Sequence, residues 1–120
     1  MINTSAQLAP IGSQQFIDRV ALEYHKIVAA RLLADPEAML SDARSNIQRW
    51  MKAHEGSGSQ LALEEWLHLL STKTIQELIV IITEDSDEGQ RLRSSTPFAG
   101  ILSVEESREL WRHCEERSFF

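Results

Sequence analysis

The feature that most constrains the fold is a succession of apolar stripes at helical spacing, separated by helix start and stop signals. The first stripe consists of Phe16, Ile17, Val20, Tyr24, Ile27, Val28 and Leu32. Side chains that recur every three or four residues occupy one face of a helix. Asp35 and Pro36 follow, an N-cap residue and a proline suited to the first helical position. The pattern predicts a helix over about Ser13 to Ala34 and a second over about Pro36 to Glu55.

The remaining chain continues this pattern. Two segments, Thr74 to Glu77 and Ser103 to Glu106, have the spacing of capping boxes, in which side chains and backbone amides satisfy each other at a helix start. They predict helices over about 75–83 and from 104 to about 117, beside a helix over about 61–71 and a short one within 85–93. The apolar run Leu78 to Ile82 also suits a buried strand, but the capping box and the lack of a partner strand favour helix. The prediction is an all-α fold, a single compact bundle of five or six short helices.

Chain length sets the domain organisation. A chain of 120 residues suits one domain with one core. Pro10 and Gly12 interrupt residues 1–12, which we expect to form a flexible N-terminal arm before a single helical domain over 13–120. The tryptophans Trp50, Trp66 and Trp111 fall in different predicted helices, so we expect them to anchor a common core.

Charge and composition restrict the function. The formal net charge of −6 suits a basic partner and makes nucleic-acid binding unlikely, because phosphates need clustered Lys and Arg. A single cysteine, Cys114, fits a reducing cytoplasm. No basic segment followed by an apolar run marks a signal peptide, and Leu78 to Ile82 is far too short to span a bilayer. We therefore expect a cytoplasmic protein with no membrane association.

Candidate ligands for a metal are sparse. Glu64 and His68 lie four residues apart, a spacing that can share a metal, and His113 adjoins Cys114. No two histidines have ligand spacing, and Glu64 and His68 also suit a simple surface pair. Cys114 lies on the apolar stripe of the last helix, where cysteines act as small hydrophobic residues. We predict no metal, no cofactor and no catalytic residues.

The polar segment 85–102 is the main candidate for recognition, since turn-rich segments between helices often carry function. Arg91 and Arg93, followed by Ser95, suit either a phosphorylated ligand or local pairing with neighbouring acidic residues. Local pairing is the favoured interpretation. Residues 61–93 also fit a helix-turn-helix, but the second helix carries almost no basic residue for DNA.

Residues typical of protein interfaces are concentrated near the end of the chain. The predicted partner-binding residues are Arg91, Arg93, Ser95, Phe98, Trp111 and Phe120. The leading hypothesis is a noncatalytic module that binds and neutralises or regulates a basic protein partner, with a homodimer as a further possibility. The alternatives are a DNA-binding regulator of the helix-turn-helix class and a small enzyme or binding protein for a phosphorylated ligand.

Three segments carry a resemblance: 43–50 with Arg44 and Trp50, 64–66, and 91–102. Together they resemble short uncharacterised bacterial helical proteins found in toxin–antitoxin-like gene pairs. The resemblance implies a small cytoplasmic protein that works beside a partner, here as an antitoxin beside a toxin. The chain departs from the usual modular antitoxin, because it lacks a convincing DNA-binding element and reads as folded nearly to its end. That departure puts an autorepressor role in doubt.

Overall fold

A computed structural model describes residues 13–117, and the predictions for the arm 1–12 and for Phe120 lie outside these residues. Six helices follow one another: α1 (Gln14–Ala34), α2 (Pro36–Ala53), α3 (Ser59–Thr72), α4 (Ile75–Thr83), α5 (Asp87–Arg93) and α6 (Val104–Arg117). Residues 13–117 contain no strand, and the run Leu78 to Ile82 is helical. The prediction of an all-α bundle of five or six helices is confirmed.

The capping interactions predicted at the helix starts are present as hydrogen bonds. The Asp35 carboxylate accepts from the backbone N–H of Ala38 at 3.2 Å, and Asp35 is the single residue between α1 and α2. At α4, the Thr74 N–H donates to the Glu77 carboxylate at 2.9 Å and the Glu77 N–H donates to the Thr74 hydroxyl at 3.1 Å. Residues 103–106 form the same box ahead of α6. Each cap satisfies amides that a helix start leaves without partners.

Helix α1 is the central element, since it packs against α2, α4, α5 and α6, while α2 packs on α3 and α4 packs on α5. The core combines buried residues from α1 to α5 with Phe98 from the following loop. Trp66 of α3 is fully buried at its centre, and its ring meets that of Phe98 edge to face at 6.0 Å. Such edge contacts add to the free energy gained by burying two large rings.

Two expectations about the core are wrong. Trp111 is 38% exposed and lies outside the core, where its ring contacts Phe16 at 5.3 Å. Trp50 is only partly buried at the edge of the core, so Trp66 alone is a central anchor. Ile17 was expected on the buried stripe of α1, yet it is 43% exposed. The apolar stripe of α1 therefore reaches the surface at Ile17.

Candidate functional site

The loop 94–103, which connects α5 to α6, is held against the bundle by side chains of α1. The Tyr24 hydroxyl donates to the Phe98 carbonyl at 2.5 Å and accepts from the Ile101 N–H at 3.3 Å. Arg31 donates from Nη1 to the Ile101 carbonyl at 2.8 Å. Burial raises the pKa of Tyr24, which keeps its hydroxyl protonated as a donor. The segment that the sequence marks for recognition is therefore an ordered connection.

A second contact comes from α2. Asn46 donates from Nδ2 to the Pro97 carbonyl at 2.9 Å and to the Ala99 carbonyl at 3.3 Å. Gly100 follows with a φ of +73°, a left-handed conformation that glycine adopts without strain. Bonds to the backbone of consecutive residues leave the loop little freedom. The turn residues of the loop thus allow it to pack closely against the bundle.

His25 is a buried polar residue that joins α1 to the same loop. Its Nδ1 lies 2.7 Å from the Ala21 carbonyl and its Nε2 lies 2.8 Å from the Thr96 hydroxyl. A carbonyl only accepts, so Nδ1 carries the proton, and the hydroxyl of Thr96 donates to Nε2. Burial lowers the pKa of His25 to about 4, although the bond to the Ala21 carbonyl opposes the shift. The neutral ring acts as a structural link at neutral pH.

Arg91 is committed to ion pairs with two neighbouring carboxylates. It donates from Nη1 and Nη2 to both oxygens of Glu65, at 2.9 and 2.8 Å, which joins α5 to α3. It also donates from Nε and Nη2 to Glu88, at 2.9 and 2.7 Å. These bonds hold the pKa values of Glu65 and Glu88 below their usual range. Local pairing, the favoured interpretation of Arg91, is confirmed.

Arg93 behaves differently, although it lies only two residues further along. Its side chain is buried, and Nη1 donates to the Ile82 carbonyl at 3.3 Å and the Glu84 carbonyl at 2.7 Å, so it caps the end of α4. Its buried Nε has no hydrogen-bond partner among residues 13–117. Burial lowers the pKa of Arg93, an effect that the charges of Asp85, Asp18 and Glu84 oppose.

Ser95 and Phe98 face inward. The Ser95 hydroxyl accepts from the Trp66 indole N–H at 3.2 Å and donates to the Leu92 carbonyl at 3.4 Å. Phe98 is fully buried against Trp66. Contact between the Phe98 side chain and a partner would therefore require the loop to open.

Helix α6 carries the largest exposed aromatic ring among residues 13–117 and little buried surface. Val104 is 62% exposed, Trp111 is 38% exposed, and Cys114 is the one buried residue of the helix. Open hollows of about 490 and 550 Å³ lie on its two sides. The first is lined by Leu102, Val104, Ser107, Arg108, Trp111 and Glu115. The second is lined by Ile27, Leu102, Glu105, Glu106, Glu109, Leu110 and His113.

One cleft was missed in the sequence analysis because its walls come from distant parts of the chain. It has a volume of about 460 Å³ and lies between α1, the α4–α5 turn and the end of α6. Its lining consists of Gln15, Asp18, Arg19, Leu22, Glu23, Lys26, Asp85, Gln90, Arg93 and Arg117. The one sequence signal near it is Gly89 within a short helix, a residue that often marks a close approach of backbone.

Within residues 13–117, no group of three His, Cys, Asp or Glu residues has the arrangement of a metal site. Burial raises the pKa of the Cys114 thiol, which disfavours the reactive thiolate. The same residues include no helix with both the length and the apolar character needed to cross a bilayer. Helix α4, the recognition helix of the helix-turn-helix hypothesis, exposes Gln76, Glu77 and Val80 and no basic side chain.

Comparison with known proteins adds no assignment to these features. No protein-family model, curated protein or solved structure matches the chain.

Proposed function

We propose that this protein is a noncatalytic interaction module that binds a basic protein partner through the α6 surface, defined as Trp111, Val104 and the hollows on either side of α6. The observation that carries the proposal is the exposed Trp111 beside two apolar hollows. Tryptophan supplies much of the binding free energy in protein interfaces, where it fills pockets near their centre. A helix of 14 residues with one buried residue has most of its surface open to a partner.

The charge beside the α6 surface favours a basic partner. Glu105, Glu106 and Glu109 line the hollow whose apolar part comes from Ile27, Leu102 and Leu110. Glu106 pairs with Arg31 and Glu109 with Arg112, so Glu105 is the carboxylate of this hollow that forms no ion pair within residues 13–117. A partner segment with apolar side chains between Lys or Arg residues complements this surface. The net charge of −6 acts in the same direction at longer range.

The class of partner follows from the resemblance to proteins of toxin–antitoxin-like gene pairs. A toxin enzyme with a basic surface is the partner that we propose, and neutralisation by steric cover is the mode of action. Trp111 is the central contact in this proposal, and Phe120, outside the described residues, stays a predicted contact. Arg91 lies on a different helix, is 50% exposed and is already bound to two carboxylates, so we assign it no direct role.

The test is capture of the partner from the native host, followed by measurement of its affinity for purified variants. We expect one stoichiometric basic protein, with affinity lowered about tenfold or more by Trp111→Ser, since loss of an interface tryptophan typically costs at least 1.4 kcal/mol. Val80→Ser is the matched control, because Val80 is 61% exposed on α4, away from the α6 surface. Affinity should also fall as salt is added.

Equal binding by both variants, with folding verified by circular dichroism, would refute the assignment of the α6 surface. An acidic captured partner would refute the charge argument.

A further inference from the structure

The Arg93 side chain is a buried charge that forms no ion pair within residues 13–117, although the charges of Asp85, Asp18 and Glu84 act on it from a greater distance. No carboxylate oxygen in residues 13–117 lies within 4.0 Å of its guanidinium, while five other cation–carboxylate pairs form in the same residues. Its Nη1 donates to two backbone carbonyls, and its Nε donates to no group in the part of the chain that the structure describes. Burying a charge is unfavourable unless hydrogen bonds and an opposite charge compensate it. An acceptor is therefore missing at this position.

The cleft that Arg93 lines has an excess of unpaired cations. Arg19 and Arg117 line it as well, and neither forms an ion pair within residues 13–117. The lining carries four cationic side chains against three carboxylates, and two of these carboxylates already accept hydrogen bonds. Asp18 accepts from Gln14 at 2.9 Å and from Gln90 at 2.5 Å, and Glu23 pairs with Lys26 at 2.9 Å.

We propose that this cleft binds a small organic oxyanion, a phosphate or carboxylate, on the guanidinium groups of Arg19, Arg93 and Arg117. Guanidinium groups bind both anions through paired N–H donors. A volume of about 460 Å³ is that of a small-molecule site. Asp85 is the remaining carboxylate of the lining. Its charge repels a bare anion, but its oxygens accept a hydrogen bond from a hydroxyl. The site therefore favours an oxyanion that also carries a hydroxyl group.

This site goes beyond the proposed partner binding and is separate from it. Trp111 and Val104 of the α6 surface do not line the cleft, and the cleft residues do not line the hollows beside α6. Loss of one binding activity is therefore distinguishable from loss of the other.

The test uses the full chain and follows the Nε–Hε signals of its arginines by NMR at constant ionic strength. The probes are inorganic phosphate, glycerol phosphate and lactate. We expect the Arg93 signal to shift in a saturable way, with glycerol phosphate or lactate binding more tightly than inorganic phosphate. The signal of Arg91, already paired with two carboxylates, should stay in place. Whichever of the two organic anions binds more tightly identifies phosphate or carboxylate as the ligand group.

Arg93 itself is a poor first variant, because its loss also removes the cap of α4. The double variant Arg19→Gln/Arg117→Gln changes two exposed side chains and should weaken binding about tenfold or more. Arg44→Gln/Lys52→Gln, at two exposed positions on α2, removes the same number of charges and should leave affinity unchanged. Absence of saturable binding, or equal shifts of Arg91 and Arg93, would overturn the site and leave a bound water as the acceptor for Nε.

Discussion

Gly89 allows the buried Arg93 to reach the end of α4. A Cβ atom at Gly89 would lie 2.2 Å from the Glu84 carbonyl oxygen and 3.0 Å from Arg93 Nη1. The backbone of the α4–α5 turn must therefore pass where any side chain would be. Arg93 and Gly89 act as one unit, since the guanidinium binds the same carbonyl that excludes the Cβ.

We predict that Gly89→Ala destabilises the protein by about 2 kcal/mol, because steric overlap with backbone outweighs the gain in helix propensity. Gly58→Ala is the matched control, since nothing lies within 4 Å of the new Cβ, and its effect should stay within about 0.5 kcal/mol. Urea unfolding measures both changes. Equal stability of the two variants would contradict the close approach at Gly89.

His25 has a pKa of about 4 in the folded protein, whereas the ordinary pKa of a histidine is 6.5. The unfolded chain binds the proton more tightly, so stability is full above pH 6.5 and falls as the pH drops toward 4. This pKa shift corresponds to a decrease of roughly 3 kcal/mol in the free energy of unfolding by pH 4. Below pH 5, the carboxylates with lowered pKa values add a second loss, so the interval from pH 6.5 to 5 isolates His25.

The measurement is the free energy of unfolding at several pH values for the parent chain and for His25→Gln. The variant should be less stable at pH 7 but should lose its pH dependence between 6.5 and 5. His54→Gln, at an exposed position, is the control and should retain the parent slope. A slope that survives in His25→Gln would show that another group causes it.

At the scale of elements, α6 is the least anchored helix. Among the helices of residues 13–117, α1 is its one substantial packing partner, and Cys114 is the one buried residue of α6. Arg31 adds a polar link, since it donates to the Ile101 carbonyl and to Glu106 at 2.6 Å. Few buried contacts mean a low free energy of local opening. Such a helix is suited to adjusting to a partner.

We predict that the amides of α6 exchange with deuterium faster than those of α4, and that Arg31→Gln increases the exchange of α6 a few-fold, as expected for loss of about 1 kcal/mol. Lys26→Gln, on α1 like Arg31, removes the ion pair with Glu23 and should leave the deuterium exchange of α6 unchanged. Uniform protection across α4 and α6 would contradict this prediction.

At the scale of the whole molecule, the loop 94–103 unites elements that are distant in sequence. Tyr24 and His25 of α1 and Asn46 of α2 bind its polar groups, and Phe98 enters the core beside Trp66 of α3. The segment completes the bundle rather than projecting from it. Stability and loop order are therefore coupled.

We predict that Phe98→Ala lowers the free energy of unfolding by about 3–5 kcal/mol, as removal of a buried ring does. Val80→Ala, at an exposed position, should change it by about 0.5 kcal/mol or less. Urea unfolding followed by tryptophan fluorescence and by circular dichroism should give coincident transitions in the parent chain. A small effect of Phe98→Ala would contradict the core position of this ring.

The predicted helices and their caps depend on local signals, and these signals were sufficient to predict that each helix forms. Asp35 with Pro36, and Thr74 with Glu77, satisfy backbone groups within a few residues of themselves, so their effect does not depend on the rest of the fold. Helix α3 begins at Ser59 rather than near Leu61, and its N-cap residue Gly58 makes no side-chain hydrogen bond. The pairing of Arg91 with Glu88 is local in the same way.

The candidate sites could not be deduced in this manner. Arg91 and Arg93 look alike in the sequence, but one faces solvent beside Glu65 and the other lies buried against the end of α4. Trp66 and Trp111 both lie on apolar stripes, yet one is central and the other is exposed. Which apolar face a neighbouring element covers depends on contacts between residues far apart in the chain.

By itself, the sequence determined where the capped helices α2, α4 and α6 begin and that residues 13–117 are helical rather than stranded, because hydrophobic period and capping act within a few residues. Only the tertiary structure decided that the polar loop is ordered, that Trp111 stays at the surface and that Arg93 opens onto a cleft. These outcomes depend on which faces of α1 pack against each of its neighbouring helices. Packing is a property of all the elements together, and no local pattern specifies it.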